Sequence, residues 1–161
     1  MFAVSVAGVP ALPTYRAPMV SRRDDVDAAA AVRRALRIGV CGVGGRVTPA
    51  PVSLDEAIAA VERPHDERLA RRLARFADAP DGAHVWTRDG DGWFWHGVLQ
   101  GPWRYDADAE AHEVDLVHVR ACRWDDEPVA VSDLPDAVQQ TFARGGRNWQ
   151  RIRAAGGADG R

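Results

Sequence analysis

Seven aromatic side chains, Trp86, Trp93, Trp95, Trp103, Tyr105, Trp124 and Trp149, are the residues of this 161-residue chain with the clearest chemical use. That use is binding. An unpaired or flipped base is read by aromatic faces together with a few hydrogen-bond donors, and each stacked base contributes about 1–3 kcal/mol. The polar readers available beside these rings are Arg88, Arg120 and Asn148. Placement along the chain selects Trp86, Trp95, Trp103, Tyr105, Arg88 and Asn148 as a base-binding set. Arg71, Arg75, Arg147 and Arg151 are the matching phosphate-binding set. The competing expectation is that most of the rings fill a small core, leaving two or three in a cleft.

Bond-making chemistry is not expected. The five histidines, His65, His84, His96, His112 and His118, fall into no H-x-x-x-H pattern, and the chain has no C-x-x-C pair, so no metal site is predicted. His96 and His118 lie on predicted strands and are candidates to meet across the sheet. The acid pairs Asp89/Asp91 and Asp106/Asp108 fall in turns, where Asp is favoured for local hydrogen bonding. Ser5, Ser21, Ser53 and Ser132 read as strand or cap residues, and none sits in a nucleophile elbow. Cys41 reads as a small buried residue with no histidine placed to activate it. Residues 38–47, IGVCGVGGRV, lack both the G-x-G-x-x-G spacing and a P-loop lysine, and prolines follow where a helix would open. Their glycines instead allow close approach of another backbone or a ligand. No catalytic residue and no cofactor is assigned.

Composition narrows the class further. The hydrophobic fraction of 46% supports a core for one domain. No apolar run reaches membrane-spanning length, and the apolar start lacks a basic region, so it reads as strand and loop rather than a leader. Two cysteines are too few for a disulfide framework, and a cytoplasmic setting is expected. All 21 basic residues are arginine. They are unevenly spread: 12 Arg against 9 acids in residues 1–80, 4 against 13 in 81–136, and 5 against 1 in 137–161. General polyanion binding is therefore excluded, and any nucleic acid must be held by the two flanks.

Several elements must position these groups. Residues 1–20 predict a strand and a proline-broken loop. Ser21 with Asp24 predicts a capping box for a helix over 24–37, with Arg33, Arg34 and Arg37 off its apolar face. That arginine cluster is either a solvated face or a phosphate-facing edge. Ser53 with Glu56 predicts a second helix, ended by Pro64, and Asp66 a third with Leu69, Leu73 and Phe76 inward. Residues 83–124 hold five of the six tryptophans and predict three or four strands. A hairpin turn falls at 89–92, a bend at Gly101-Pro102, and a strand over 114–124. A short strand at 129–131 and a last helix capped by Ser132 and ended by Gly145-Gly146 follow. The tail from 153 to 161 is expected to be disordered.

The run from Arg72 to Phe142 resembles a PUA-like module of the group containing the EVE, YTH and ASCH domains. The resemblance rests on Leu73 to Phe76 ending an arginine-bearing helix, then HVWTRD, WFWHGVLQGPWRYD and VDLVHVRACRW, and a short helix after Asp133-Leu134-Pro135. Such runs occur in bacterial restriction-type proteins and as stand-alone chains. The resemblance implies an α+β fold, a small strongly bent mixed β-barrel with flanking helices. Residues 1–80 would complete the barrel and 81–152 would form its tryptophan-rich sheet and last helix. It implies a reader of a modified or unpaired base in DNA or RNA, with catalysis supplied by a partner protein. Two other readings stay open. One is a protein-interaction or self-assembly module, in which the acidic sheet meets the basic flanks of a second copy. The other is an enzyme acting on a small molecule in the same cleft.

Overall fold

Local capping chemistry starts two helices where expected. The Ser53 side chain accepts from Glu56 N–H and opens α2 (Leu54–Glu62). The Asp66 carboxylate accepts from Leu69 N–H and opens α3 (Glu67–Asp78). Each cap satisfies one of the N–H groups that a helix start leaves without an internal partner. The computed structural model describes residues 11–153, apart from 22, 24, 64 and 65. The expected start of the first strand with Ser5, the Asp24 half of the capping box, the Pro64 break and the tail beyond 153 lie outside the described residues.

The first helix differs from expectation. α1 runs Ala28–Ile38 and is capped by Asp27, which accepts from Ala29 N–H. Ser21 is not the cap; its hydroxyl donates to Asp115 over 2.8 Å. Gly39 closes α1 at φ 74°, a left-handed conformation that glycine adopts without strain.

Six strands form one sheet in the order β2-β5-β4-β3-β1-β6. They are β1 (Thr14–Arg16), β2 (Val40–Val43), β3 (His84–Arg88), β4 (Phe94–Tyr105), β5 (His118–Trp124) and β6 (Gln150–Ile152). β1 and β3 are parallel and the other neighbours antiparallel. The sheet curls through 211° into a half-barrel flanked, among the described residues, by five helices, so the fold is α+β with a strongly bent mixed sheet. Among the described residues no helix is long and apolar enough to cross a membrane.

The tryptophan-rich run folds as three strands. The Asp89 carboxylate takes Asp91 N–H, Trp93 N–H and Trp95 Nε1–H, which closes the β3–β4 turn. Gly101-Pro102 does not end β4; the strand passes through it with a register shift between Gln100 and Arg104. Residues 114–117 are not strand. They follow α4 (Ala109–Glu113), and β5 begins only at His118. Val129 makes a single bridge to Phe94 rather than a strand. Ser132 lies in a 3₁₀ turn, and α5 (Asp136–Arg144) starts after Pro135 and is closed by Gly145.

Both sheet faces are covered. One packs Leu99, Val119 and Cys122 against Leu73 and Phe76 of α3 and Ala31, Val32 and Ala35 of α1. Full burial of Leu73 and Phe76 contributes about 1.5–3 kcal/mol each. The other packs Trp86 and Phe94 against Leu134 and Val138 and Ile152 of β6. Both cysteines are free and buried, and burial pushes the Cys122 thiol up to about 12.

The uneven charge of the sequence closes within the fold. Arg34 of α1 pairs with Asp106, Asp108 and Glu110, and Arg37 also reaches Glu110. Arg34 and Asp106 are both 6% exposed, so α1 presents no free cluster of three arginines. Arg120 is no surface reader either. It is buried, donates to the Phe76 and Ala79 carbonyls at the end of α3 and to Gly101 O, and pairs with Asp81.

Candidate functional site

Five segments converge on one cavity of about 240 Å³ beside the edge of β2. They are residues 17–21 after β1, residues 42–46 at the end of β2, the first turns of α3, Asp115, and residues 147–149 between α5 and β6. The volume lies just below the ~300–1,000 Å³ usual for drug-sized ligands, which suits one ring system rather than a dinucleotide.

The backbone is unusual at this place. Among the described residues two non-glycine residues have positive φ, Met19 at 54° and Asp115 at 52°, and both line the cavity. Such conformations cost about 1–3 kcal/mol each and gather at ligand sites. They also explain why the run through 115 cannot be read as strand.

Asp115 joins two walls of the cavity. Its Oδ2 accepts from the Ser21 hydroxyl at 2.8 Å, and its Oδ1 accepts from Gly45 N–H at 3.0 Å. Arg46 Nε lies 4.0 Å from Oδ1, and Arg46 Nη1 is anchored on the His112 carbonyl at 2.8 Å. Gly44 is required: a Cβ there would sit 2.7 Å from Asp115 Oδ2 and 2.9 Å from its carbonyl oxygen. The glycines of 38–47 thus admit another backbone and its carboxylate, as their spacing suggested.

His118 holds Gly45 of the cavity wall in a defined tautomer. Trp103 Nε1–H can only donate, so His118 Nδ1 accepts it at 3.2 Å. The proton is then on Nε2, which donates to the Gly45 carbonyl at 2.8 Å. Burial pushes the His118 pKa down to about 4, against smaller opposing effects of Gly45 and Asp115. Tyr105 braces the next residue, its hydroxyl donating to Val47 O and accepting from Val47 N–H, both at 3.1 Å.

Trp149 forms the remaining wall. It is 5% exposed, stacked on Tyr15 at 4.5 Å and edge-on to Phe76 at 5.0 Å. Its Nε1 has no hydrogen-bond partner among the described residues. Arg16 positions the segment that carries it, donating to the Thr141 and Gly145 carbonyls and to Gln150 Oε1. Arg23, Arg46, Arg72 and Arg147 also line the cavity.

The expected site residues are distributed as follows. Asn148 and Arg147 line the cavity. Arg88 lines a second, open cleft of about 790 Å³ between α1, the β3–β4 turn and α5, with its guanidinium 5.7 Å from the Phe94 ring centre. Trp86 is packed in the Leu134–Val138 cluster, Trp95 pins the hairpin through Asp89, and Trp103 and Tyr105 brace the cavity wall. Arg71 and Arg75 are exposed on α3, and Arg151 is exposed on β6. His96 does not meet His118. It meets His84 at 2.9 Å and Asp125 at 2.8 Å. Sequence reasoning missed Met19, Ser21, Arg46 and Asp115. The one available signal was Asp115 itself, a lone acid inside an apolar run. No family model and no curated protein matches this chain.

Proposed function

We propose that this chain is a non-catalytic PUA-like module that binds a modified, unpaired or flipped nucleobase of DNA or RNA in the Met19–Trp149 cavity. The observation that carries this reading is the convergence, at one ring-sized cavity, of both left-handed non-glycine residues, a buried carboxylate and a buried indole N–H without a partner. Arg147 at the rim, with Arg71 and Arg75 on the exposed side of α3 and Arg151 on β6, supplies phosphate contacts. The internal pairing of Arg34, Arg37 and Arg120 with the acidic stretch favours this reading over head-to-tail self-assembly. It takes Arg34 and Arg37 of the basic flank, with Asp106 and Glu110 of the acidic stretch, out of the charge that assembly would use.

Titration of intrinsic fluorescence with short plain and modified DNA and RNA strands, at two salt concentrations, tests the proposal. Binding is expected to quench a signal that is lost in Trp149→Phe. Log affinity should fall with log salt by about 0.7–0.9 per phosphate held, so about 3–4 in all for the four arginines. No change across the panel at low salt overturns the reading. A concentration-dependent dimer under the same conditions would favour assembly instead.

A further inference from the structure

We propose that the cavity selects guanine-type bases, reading two adjacent N–H donors and a carbonyl oxygen through Asp115 and Arg46. This rests on the base-binding reading and adds the ligand class. A carboxylate oxygen has two acceptor sites. Asp115 Oδ1 has given one to Gly45 N–H, and Oδ2 has given one to the Ser21 hydroxyl. One site on each oxygen is left for a ligand, which is the arrangement a bidentate donor pair requires.

Beside this acceptor pair stands a donor. Arg46 approaches Oδ1 through Nε, which donates no hydrogen bond among the described residues, while its Nη1 is fixed on the His112 carbonyl. Asp115 and Arg46 both line the cavity. Together they present acceptor, acceptor, donor. Guanine presents the complement on its pairing edge: two adjacent N–H donors, from the 2-amino group and N1, followed by the O6 acceptor. Adenine and cytosine place a ring-nitrogen lone pair beside their single amino group, so one carboxylate oxygen would face it. Uracil offers one N–H between two carbonyls. A site built to hydrogen-bond a group discriminates strongly against analogues that lack it, because its own polar atoms are then buried unpaired.

The test is equilibrium binding of guanosine, inosine, adenosine, cytidine and uridine 5′-monophosphates to the full chain. Guanosine monophosphate should bind at least about tenfold more tightly than the adenosine, cytidine and uridine forms. Inosine monophosphate lacks only the 2-amino group and should lose about tenfold. Asp115→Asn tolerates the left-handed backbone and keeps one acceptor. With folding verified by circular dichroism, it should reduce the guanine preference to less than about threefold. Equal binding of all five nucleotides overturns the inference and leaves the base-binding reading standing. So does a guanine preference that survives unchanged in Asp115→Asn. Failure of every nucleotide to bind, together with failure of the oligonucleotide panel, overturns both.

Discussion

Replacing His118 with glutamine removes a titratable ring from behind Gly45, a residue of the cavity wall, while keeping an amide able to donate to the Gly45 carbonyl. In the native protein the ring is fully buried and neutral, and its pKa is pushed down to about 4 from an ordinary 6.5. The unfolded chain therefore takes up a proton between pH 6.5 and 4 that the folded chain refuses. Stability is complete above pH 6.5 and falls as the pH drops toward 4. The difference of 2.5 pKa units is worth about 3 kcal/mol in full, and about 2 kcal/mol is already lost at pH 5. The assay is urea unfolding at half-unit steps from pH 7 to 4.5, for wild type and His118→Gln. The variant starts less stable because Trp103 loses its acceptor. Its curve should nevertheless be flatter by about 2 kcal/mol between pH 6.5 and 5. Parallel curves over that interval would refute the tautomer assignment and the burial argument with it.

Two further perturbations follow from the same geometry. Gly44→Ala sets a Cβ against the Asp115 carboxylate and carbonyl and should cost about 1–3 kcal/mol in chemical denaturation while weakening ligand binding at the cavity. Arg34→Met leaves the buried Asp106 carboxylate without its guanidinium and should cost about 3–5 kcal/mol; adding Asp106→Asn should recover part of that loss in a double-mutant cycle.

What the sequence disclosed divides along the range of the interactions. Ser53, Asp66 and the 89–92 turn act on backbone groups within four residues, so their roles could be read locally and were. Arginines behave differently, because a long side chain takes its partner from whatever the fold brings near. Arg34 reaches 72 residues ahead to Asp106, and Arg120 reaches 44 residues back to the end of α3. No helical-face argument contains that information. The tryptophans are hard to place from sequence for a related reason. Their density marked the sheet, but Trp86, Trp95 and Trp103 spend their faces or N–H groups on packing and pinning. The ring at the cavity, Trp149, stands outside the dense run.

The walls of the cavity show why this site was hard to see and why it is informative. Glycine at 115 would adopt φ 52° without strain, and a folding requirement alone would be met more cheaply by it. The side chain at 115 offsets its backbone cost by accepting from Ser21 and Gly45, which ties together two segments 24 residues apart. Gly44 in turn gives up a side chain so that the carboxylate can sit there. Four residues, each unremarkable in type, thus depend on one another, and the dependence is visible only when β2, the post-β1 segment and the α4–β5 connection are side by side.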